Sequence, residues 1–203
     1  VVKYSNDLVN KIVVVDNAST DNSLLLINEF AGIELVHNSE NFGFARACNI
    51  GAKKCSSKFI LFLNPDASIY SDTLKNVLAF MSAKENLNVG ICGIQLYNES
   101  GEIARSNSRF PSVKGIISHT IGISKVFPVL GNAMSEWDHS STRVVDQVIG
   151  AFFFVRRHAF QELEGFDEQF FVYCEEVDFS FRAKQIGWLS VYFAGAQAFH
   201  VGG

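Results

Sequence analysis

Short, uniformly apolar runs alternate along the chain with segments in which apolar residues recur every three or four positions. The runs predict strands, and because they lack strict apolar–polar alternation they are typical of strands covered on both faces. The periodic segments predict helices between these strands. The pattern therefore predicts an α/β fold with a mainly parallel central sheet flanked by helices. The predicted strands are 11–16, 32–37, 58–63, 88–97, 144–157 and 188–200, and the predicted helices are 19–30, 41–55, 71–83, 158–166 and 175–187.

The segment between the fourth strand and residue 145 does not show this periodicity. Its stretches SNSRFPSVKG and GNAMSEWDHSS are typical of loops. A loop of this length in a compact domain is more often functional than idle. We therefore expect this segment to contribute to a binding site.

Composition and charge exclude several classes of protein. A chain of 203 residues is long enough to bury one core. Its net charge of −4, with scattered Lys and Arg, offers no basic surface for nucleic acid. Apolar runs all fall well short of the roughly 20 residues that cross a bilayer. The four cysteines form no CxxC pair and no metal-ligand spacing, which favours a reduced, cytoplasmic setting.

Polar residues follow three of the predicted strands: Asp16 and Asn17 after the first, Asn64 and Asp66 after the third, and His200 at the last. Ligands in open α/β sheets bind beyond the carboxyl ends of strands, so these residues are candidates for a binding site. Each also has a structural interpretation, as a turn acid or a hydrogen-bonded histidine. An acid in the position of Asp16 could equally bind the ribose of a dinucleotide.

Three carboxylates, Glu175, Glu176 and Asp178, lie in the segment FFVYCEEVDFSFR, at the start of a predicted helix. Acids in a first helical turn complement the helix dipole, which is a purely structural interpretation. The functional interpretation is a general base that removes a proton from a substrate. Asp178 fits the structural interpretation, because Arg182 follows four residues later on the same helix face.

Six segments, in their order along the chain, resemble the successive motifs of one enzyme family. They are VVDNASTDNS, NSENFGFARACNIG, FLNPDA, GAFFFVRR, GFDEQFFVYCEEVDFSFR and AFHVGG. The family is that of the family 2 glycosyltransferases with the GT-A fold, and the motifs are most similar to its bacterial rhamnosyltransferase-like branch. The resemblance implies a single GT-A domain over residues 1–203. Residues 1–97 would be its nucleotide-binding half and residues 98–203 its acceptor-binding and catalytic half.

The resemblance assigns roles to residues on the donor side. Asp16 and Asn17 match the segment that contacts the base and ribose, and Asn64 stands at the first acid of the family's DXD motif. A loop and helix start would bind the diphosphate, with Arg46 as its charge partner. Small residues would leave room for the donor sugar. The implied nucleotide-sugar-binding residues are Asp16, Asn17, Asn41, Gly43, Arg46, Asn64, Gly150 and Ala151.

The resemblance also implies a metal site and a base. Asp66 and His200 would bind a divalent cation, Mg²⁺ or Mn²⁺, since oxygen ligands suit both ions. Glu176 stands at the position of the family's catalytic Asp, and Glu175 is the second candidate. Asp167 would lie on the acceptor side.

The implied reaction is an inverting transfer of a sugar, rhamnose from a dTDP donor in this branch, to a hydroxyl group. The donor would be a nucleoside diphosphate sugar, and the acceptor a cell-surface glycan or a lipid-linked precursor. The setting would be cytoplasmic, with peripheral association at the inner face of the plasma membrane.

Two other functions stay open at this point. Glu in place of Asp at position 176 is compatible with a non-catalytic nucleotide-sugar-binding protein. A dinucleotide-dependent oxidoreductase would use Asp16 on the ribose but leaves the C-terminal motifs unexplained. The resemblance further implies that the family's first strand is missing ahead of residue 1. We therefore expect a chain truncated at both ends that melts without a sharp transition.

Overall fold

The computed structural model describes residues 2–5, 8–104, 106–122, 127, 129, 131–132, 134 and 136–201. Its helices are α1 (Val2–Ser5), α2 (Ser23–Asn28), α3 (Phe44–Lys53), α4 (Thr73–Ser82), α5 (Val113–Thr120), α6 (Arg157–Glu162) and α7 (Glu175–Gln185), with a 3₁₀ turn at Lys84–Asn86. Its strands are β1 (Ile12–Asp16), β2 (Ile33–His37), β3 (Phe59–Leu63), β4 (Ala67–Ile69), β5 (Val89–Tyr97), β6 (Asn107–Ser108), β7 (Arg143–Val145), β8 (Gln147–Val148), β9 (Phe152–Arg156) and β10 (Leu189–His200). The α/β class is confirmed.

The main sheet has the strand order β3-β9-β5-β10-β4, with β7 also paired to β10. Strands β1 and β2 form a separate parallel pair, and β6 and β8 a short antiparallel one. The prediction of a mainly parallel sheet is wrong, because β9, β4 and β7 all pair antiparallel to their neighbours. Strand β9 returns from the long segment after β5 and enters the sheet between β3 and β5.

The position of β9 brings two distant parts of the chain together. Leu63, at the end of β3, pairs with Phe152, at the start of β9. Asn64 directly follows Leu63, and Ala151 directly precedes Phe152. The Asn64 N–H donates to the Ala151 carbonyl at 3.2 Å. The end of β3 and the turn before β9 therefore form one edge of the sheet.

Strand β9 is buried along its whole length because helices cover both faces of the sheet. Phe153 and Val155 face a core shared with α3, α6 and α7, while Phe152 and Phe154 face a core shared with α4. Each fully buried Phe side chain stabilises the fold by about 1.5–3 kcal/mol. The uniformly apolar sequence of this strand thus reflects two-sided burial, although its direction is antiparallel.

Several element boundaries differ from the predicted ones. The predicted strand 144–157 is divided into β7, β8 and β9 by turns. The predicted loop after β5 contains helix α5. Among the described helices, none is long and apolar enough to cross a membrane. The strand expected ahead of residue 1 lies outside this chain and stays a prediction.

Candidate active site

Asp16 ends β1 and is buried. Its carboxylate accepts the Ser19 N–H at 3.1 Å and lies 2.8 Å from Nδ1 of His37. Hydrogen bonds from Ser19, with His37 close by, keep the pKa of Asp16 below its ordinary value despite burial. Asp16 therefore stabilises the turn after β1 as a charged carboxylate. Its contact with a nucleotide stays a prediction.

Asn17 connects three segments through its side-chain amide. The amide nitrogen donates to the Gly43 carbonyl at 3.1 Å, and the amide oxygen accepts a hydrogen bond from Asn38 at 2.8 Å. These bonds fix the ends of β1 and β2 against the loop that precedes α3. Asn17 thus shapes the region in which the donor nucleotide is expected.

The loop before α3 depends on Gly43, which has φ +84°. A Cβ at this position would lie 2.5 Å from the Phe171 carbonyl oxygen, so the close approach is to Phe171. The Phe44 N–H, the first of α3, donates to the same carbonyl at 2.7 Å. Asn41, a predicted donor-binding residue, does not cap this helix: its side chain accepts the Gly43 N–H at 3.0 Å and forms a turn.

Arg46 projects from the first turn of α3 and is about half exposed. Its guanidinium lies 4.1 Å from the centre of the Phe42 ring, and its Nε is 3.7 Å from a Glu168 carboxylate oxygen. An exposed ion pair of this length contributes little to stability. The guanidinium therefore stays available to an anion at the start of α3.

Gly150 and Ala151 lie in the turn between β8 and β9, next to Asn64. Ala151 is buried, whereas no described atom would lie within 4 Å of a Cβ added at Gly150. The backbone of Gly150 has no left-handed conformation that would require glycine. The open space beside Gly150 fits the prediction that these residues leave room for a donor sugar.

Asp66 and His200 lie together, as predicted for a metal site. Strand β10 runs antiparallel to β4, so that His200 pairs with Ala67 and its Nε2 lies 3.3 Å from an Asp66 carboxylate oxygen. His200 is nearly buried, with 10% of its side chain exposed, whereas 43% of the Asp66 side chain is exposed. The carboxylate therefore faces solvent with a nitrogen donor beside it.

This pair fits a divalent cation that also binds substrate oxygens. Over the described residues there is no cluster of three or more His, Cys, Asp or Glu side chains that could form a complete protein cage. Mg²⁺ and Mn²⁺ sites in nucleotide enzymes commonly use one or two protein ligands, with water and phosphate oxygens in the other positions. Asp66 and His200 supply such a partial set.

Glu175 and Glu176 begin α7, and both carboxylates are largely removed from water. Burial raises the pKa of each, and the charge of Glu176 raises that of Glu175 further. The Oε2 atom of each is buried with no hydrogen-bond partner among the described residues. Unpartnered buried carboxylate oxygens are costly and typical of functional sites.

The two residues before α7 have left-handed backbone conformations, which neither residue type predicts. Tyr173 has φ +66° and Cys174 has φ +72°. Such conformations in residues other than glycine are uncommon and cluster at functional sites. Phe171 and Tyr173 are mostly exposed. The strained turn directs Glu175 and Glu176 at the start of the helix.

The loop before this turn is anchored by Asn49, which sequence analysis did not identify. Asn49 is buried on α3; its amide nitrogen donates to the Phe166 carbonyl at 2.8 Å, and its oxygen accepts the Phe166 N–H at 3.0 Å. Asp167, the predicted acceptor-side residue, accepts the Gln169 N–H at 2.9 Å in a turn. The position of Asn49 within the motif segment NSENFGFARACNIG is the sequence feature that could have identified it.

Arg182 anchors the same loop from α7. Its Nε donates to Asp178 at 2.7 Å, which confirms the predicted pair, and its other nitrogens donate to the carbonyls of Leu163 and Gly165. The Phe166 ring also contacts the Phe62 ring of β3, with centroids 5.1 Å apart. The loop therefore connects α3, α7 and the end of β3, around which the predicted site residues lie.

Comparison with known proteins gives one family. The family model for "Glycosyl transferase family 2" matches residues 2–163. Rhamnosyltransferase WbbL of Escherichia coli (strain K12) is 28% identical over 200 residues, which are 94% of this chain and 72% of that protein. The N-acetylglucosaminyl-diphospho-decaprenol L-rhamnosyltransferase of Mycobacterium tuberculosis (strain ATCC 25618 / H37Rv) is 26% identical over 203 residues, or 93% of this chain and 66% of that protein.

Solved structures show the fold. TarS 1-349 of S. aureus, in complex with UDP, has a TM-score of 0.63 and 17% identity over 95% of this chain and 51% of that chain. Mannosyltransferase PcManGT from Pyrobaculum calidifontis, in complex with GDP-Man and Mn²⁺, has a TM-score of 0.61 and 19% identity over 94% and 47%. The chain spans about half the length of these solved proteins, and the fold is that of the GT-A glycosyltransferases. With most of its length matched by the family model, the chain belongs to glycosyl transferase family 2.

Proposed function

We propose that the protein transfers a sugar from a nucleoside diphosphate sugar to an acceptor hydroxyl, with inversion, in a metal-dependent single displacement. The observation that carries this proposal is Glu176, a carboxylate largely removed from water at the start of α7 with one oxygen unpartnered among the described residues. A sugar hydroxyl is a weak nucleophile until its proton is removed. Glu176 is the group that removes it.

Glu176 suits the role of base better than Glu175. Glu175 is only 5% exposed and lies near Cys48, whose pKa burial and the charge of Glu175 raise to about 12. Glu176 is less buried than Glu175, so its carboxylate is easier for an acceptor hydroxyl to reach. A base with a raised pKa is closer to neutral pH, where proton transfer is most efficient. Glu175, whose Oε2 is also unpartnered among the described residues, is the second candidate.

The donor would lie along the strand ends and the start of α3. Asp16 and Asn17 orient the loop that would face the base and ribose. Arg46, at the positive end of the α3 dipole, would face the diphosphate. The sugar would occupy the space beside Gly150. In this scheme residues 1–97 form the donor half and residues 98–203 the acceptor and catalytic half. The donor-binding residues are Asp16, Asn17, Asn41, Gly43, Arg46, Asn64, Gly150 and Ala151.

Asp66 and His200 would bind Mg²⁺ or Mn²⁺. Such an ion neutralises negative charge that develops on the leaving nucleoside diphosphate. Asp66 presents an exposed carboxylate oxygen, while the nearly buried His200 fixes the orientation of that carboxylate through its Nε2. The two side chains thus orient the diphosphate with respect to the sugar.

The relatives suggest the substrates. Two of them are named rhamnosyltransferases, and one name describes a diphospho-decaprenol, which is a lipid-linked acceptor. We propose rhamnose from a dTDP donor, and a glycan or lipid-linked precursor at the inner face of the plasma membrane. Asp167 would lie on the acceptor side.

Transfer assays with the full chain test this function. We expect product with one of dTDP-, UDP- or GDP-linked sugars, a diphospho-polyprenol-linked acceptor and Mn²⁺ or Mg²⁺, with dTDP-rhamnose the best donor. Binding of a nucleotide sugar without transfer to any acceptor, measured by calorimetry, would instead indicate a non-catalytic binding protein. An equal rate of transfer in the presence of EDTA would contradict the proposed requirement for a divalent cation.

Replacing Gly150 by Leu should weaken donor binding without unfolding the protein. The added side chain meets open space, so thermal melting should be unchanged, but it occupies the volume proposed for the donor sugar. Steric conflict of about 1–3 kcal/mol would raise the donor KM by about 5- to 150-fold. Gly150→Ala is the matched control and should have a smaller effect. Equal donor KM in wild type and Gly150→Leu would remove this residue from the site.

A further inference from the structure

Helix α5 packs with its apolar side toward solvent. Gly115 and Ser118 are buried, whereas Val113, Ile116 and Ile117 are 73%, 55% and 52% exposed. A surface helix of a globular protein has the opposite arrangement, with its apolar stripe toward the core. Ile121, Phe127 and Val129, which follow the helix in the chain, are exposed as well. We call the exposed apolar residues of this segment the α5 surface: Val113, Ile116, Ile117, Ile121, Phe127 and Val129.

Tight packing fixes this orientation of α5. A Cβ at Gly115 would collide with the side-chain oxygen of Asn132, so a larger residue on this side would displace that side chain. The Gly115 N–H donates to Ser112 Oγ at 3.0 Å, and the Asn132 carbonyl accepts the Arg109 N–H at 2.8 Å. The inverted packing is therefore built into the fold and leaves an apolar surface with no described cover.

The sequence around α5 is free of acids, in a protein whose net charge is −4, although Arg109 is paired with Glu136, just beyond this stretch. The sequence contains no Asp or Glu from residue 103 to residue 135, whereas it contains Arg105, Arg109, Lys114 and Lys125. Lys114 lies on α5 itself and is exposed. Exposed apolar residues flanked by cations are typical of helices that lie in the interface of an anionic membrane.

We propose that the α5 surface docks on an anionic phospholipid bilayer. This rests on the proposed function, in which a lipid-linked acceptor would be reached at a membrane. The helix would lie in the plane of the interface with its isoleucines about 5–10 Å deep. Phe110, directly before α5, contacts Phe181 of α7 edge-on at 5.3 Å, so the docked helix is joined to the helix that carries Glu176.

A bilayer explains this surface better than a second copy of the chain. A two-fold symmetric dimer places the same patch of both subunits face to face. Two acid-free, cationic segments would then repel each other, which opposes the apolar contact. Anionic headgroups complement the lysine and arginine residues, while the acyl region buries the isoleucines.

Vesicle sedimentation with the full chain tests the proposal. The vesicles contain phosphatidylcholine with or without phosphatidylglycerol, and neither donor nor acceptor is added. Ile116→Ser/Ile117→Ser is the test variant. Leu25→Ser/Leu26→Ser is the matched control, because these leucines are 68% and 58% exposed on α2 in the donor half. We expect the test variant to bind anionic vesicles at least tenfold more weakly than wild type and the control to bind like wild type.

Each other outcome overturns the proposal. Equal binding by wild type and the test variant, or equal loss in the test and control variants, shows that α5 is not the docking surface. If the wild type does not bind vesicles but sediments as a dimer, and the test variant is monomeric, the α5 surface is a contact between two copies of the chain. The vesicle assay does not measure sugar transfer, and transfer to a water-soluble acceptor analogue is measured without vesicles. Failure of docking and failure of the proposed function are therefore distinguishable.

Discussion

Replacing Glu176 by Gln should lower kcat by about 10²- to 10⁴-fold, the usual contribution of a positioned general base. Gln has nearly the same shape but cannot accept a proton from the acceptor hydroxyl. Because the substitution changes neither volume nor the strained turn at Tyr173 and Cys174, the donor KM and the melting temperature should stay close to wild type. Steady-state kinetics with saturating donor, together with thermal melting, measure both expectations.

Glu175→Gln is the matched control for this experiment, since the neighbouring carboxylate is also buried at the start of α7. It should reduce kcat much less than Glu176→Gln. A larger loss in Glu175→Gln would move the base to that residue. Equal, small losses in both variants would contradict catalysis by either glutamate and favour a nucleotide-sugar-binding protein.

The pH dependence of kcat/KM provides an independent measurement of the same base. Burial raises the pKa of Glu176, so the protonated form persists at a pH where an exposed Glu is ionised. Activity needs the ionised form and should therefore decrease as the pH is lowered. This decrease should occur at a pH above the ordinary Glu pKa of about 4.3. Glu176→Asp should keep such an acid limb, and the residual activity of Glu176→Gln should lack it.

The parts of the fold that depend on local sequence were predictable. Strands β1, β2, β3 and β5 were identified within two residues of their bounds, because each is a largely apolar run, although only β5 is buried nearly throughout. The pair between Asp178 and Arg182 followed from helix geometry alone. Membership of the family also decides a question that Asp16 left open, since it argues against a dinucleotide-dependent oxidoreductase.

The parts that depend on distant contacts were not predictable in this way. Helix α5 was not predicted from the sequence, because its buried side consists of Gly115 and Ser118, whereas hydrophobic periodicity assumes that the apolar side is buried. The antiparallel direction of β9 is set by its entry between β3 and β5, and an apolar run does not encode strand direction. The left-handed pair at Tyr173 and Cys174 runs against the preference of both residues, so residue type did not predict it.

In the candidate site, too, some features follow from local sequence and others depend on contacts between distant parts of the chain. Motif order placed Asp66 and His200 in one site, but their approach to 3.3 Å depends on the pairing of β10 with β4, which joins chain segments more than 100 residues apart. Asn49 lies within the motif segment NSENFGFARACNIG, but the motif did not reveal that it fixes the loop before α7 by two buried hydrogen bonds. Residues proposed to contact substrate thus carry a sequence signal here, while the structural role of a residue such as Asn49 emerges only from packing.

Replacing Asp66 by Asn should lower kcat/KM by at least about 10²-fold with either Mg²⁺ or Mn²⁺, because a bound cation stabilises transition-state charge by several kcal/mol. An amide oxygen is a much weaker ligand for a hard cation than a carboxylate. Since 43% of the Asp66 side chain is exposed, the substitution should hardly change the melting temperature. Kinetics as a function of metal concentration should show a higher concentration for half-maximal rate.

Asp72→Asn controls for the change of charge, since Asp72 is an exposed carboxylate at the start of α4, outside the proposed site. It should leave both the rate and the metal dependence unchanged. Manganese binding, measured by electron paramagnetic resonance with nucleoside diphosphate present, should be weakened by Asp66→Asn and unaffected by Asp72→Asn. His200→Gln should have an intermediate effect, because it removes the nitrogen donor beside Asp66 but leaves the carboxylate in place. If Asp66→Asn binds manganese as wild type does, this carboxylate is not a metal ligand, and its contact with His200 is structural.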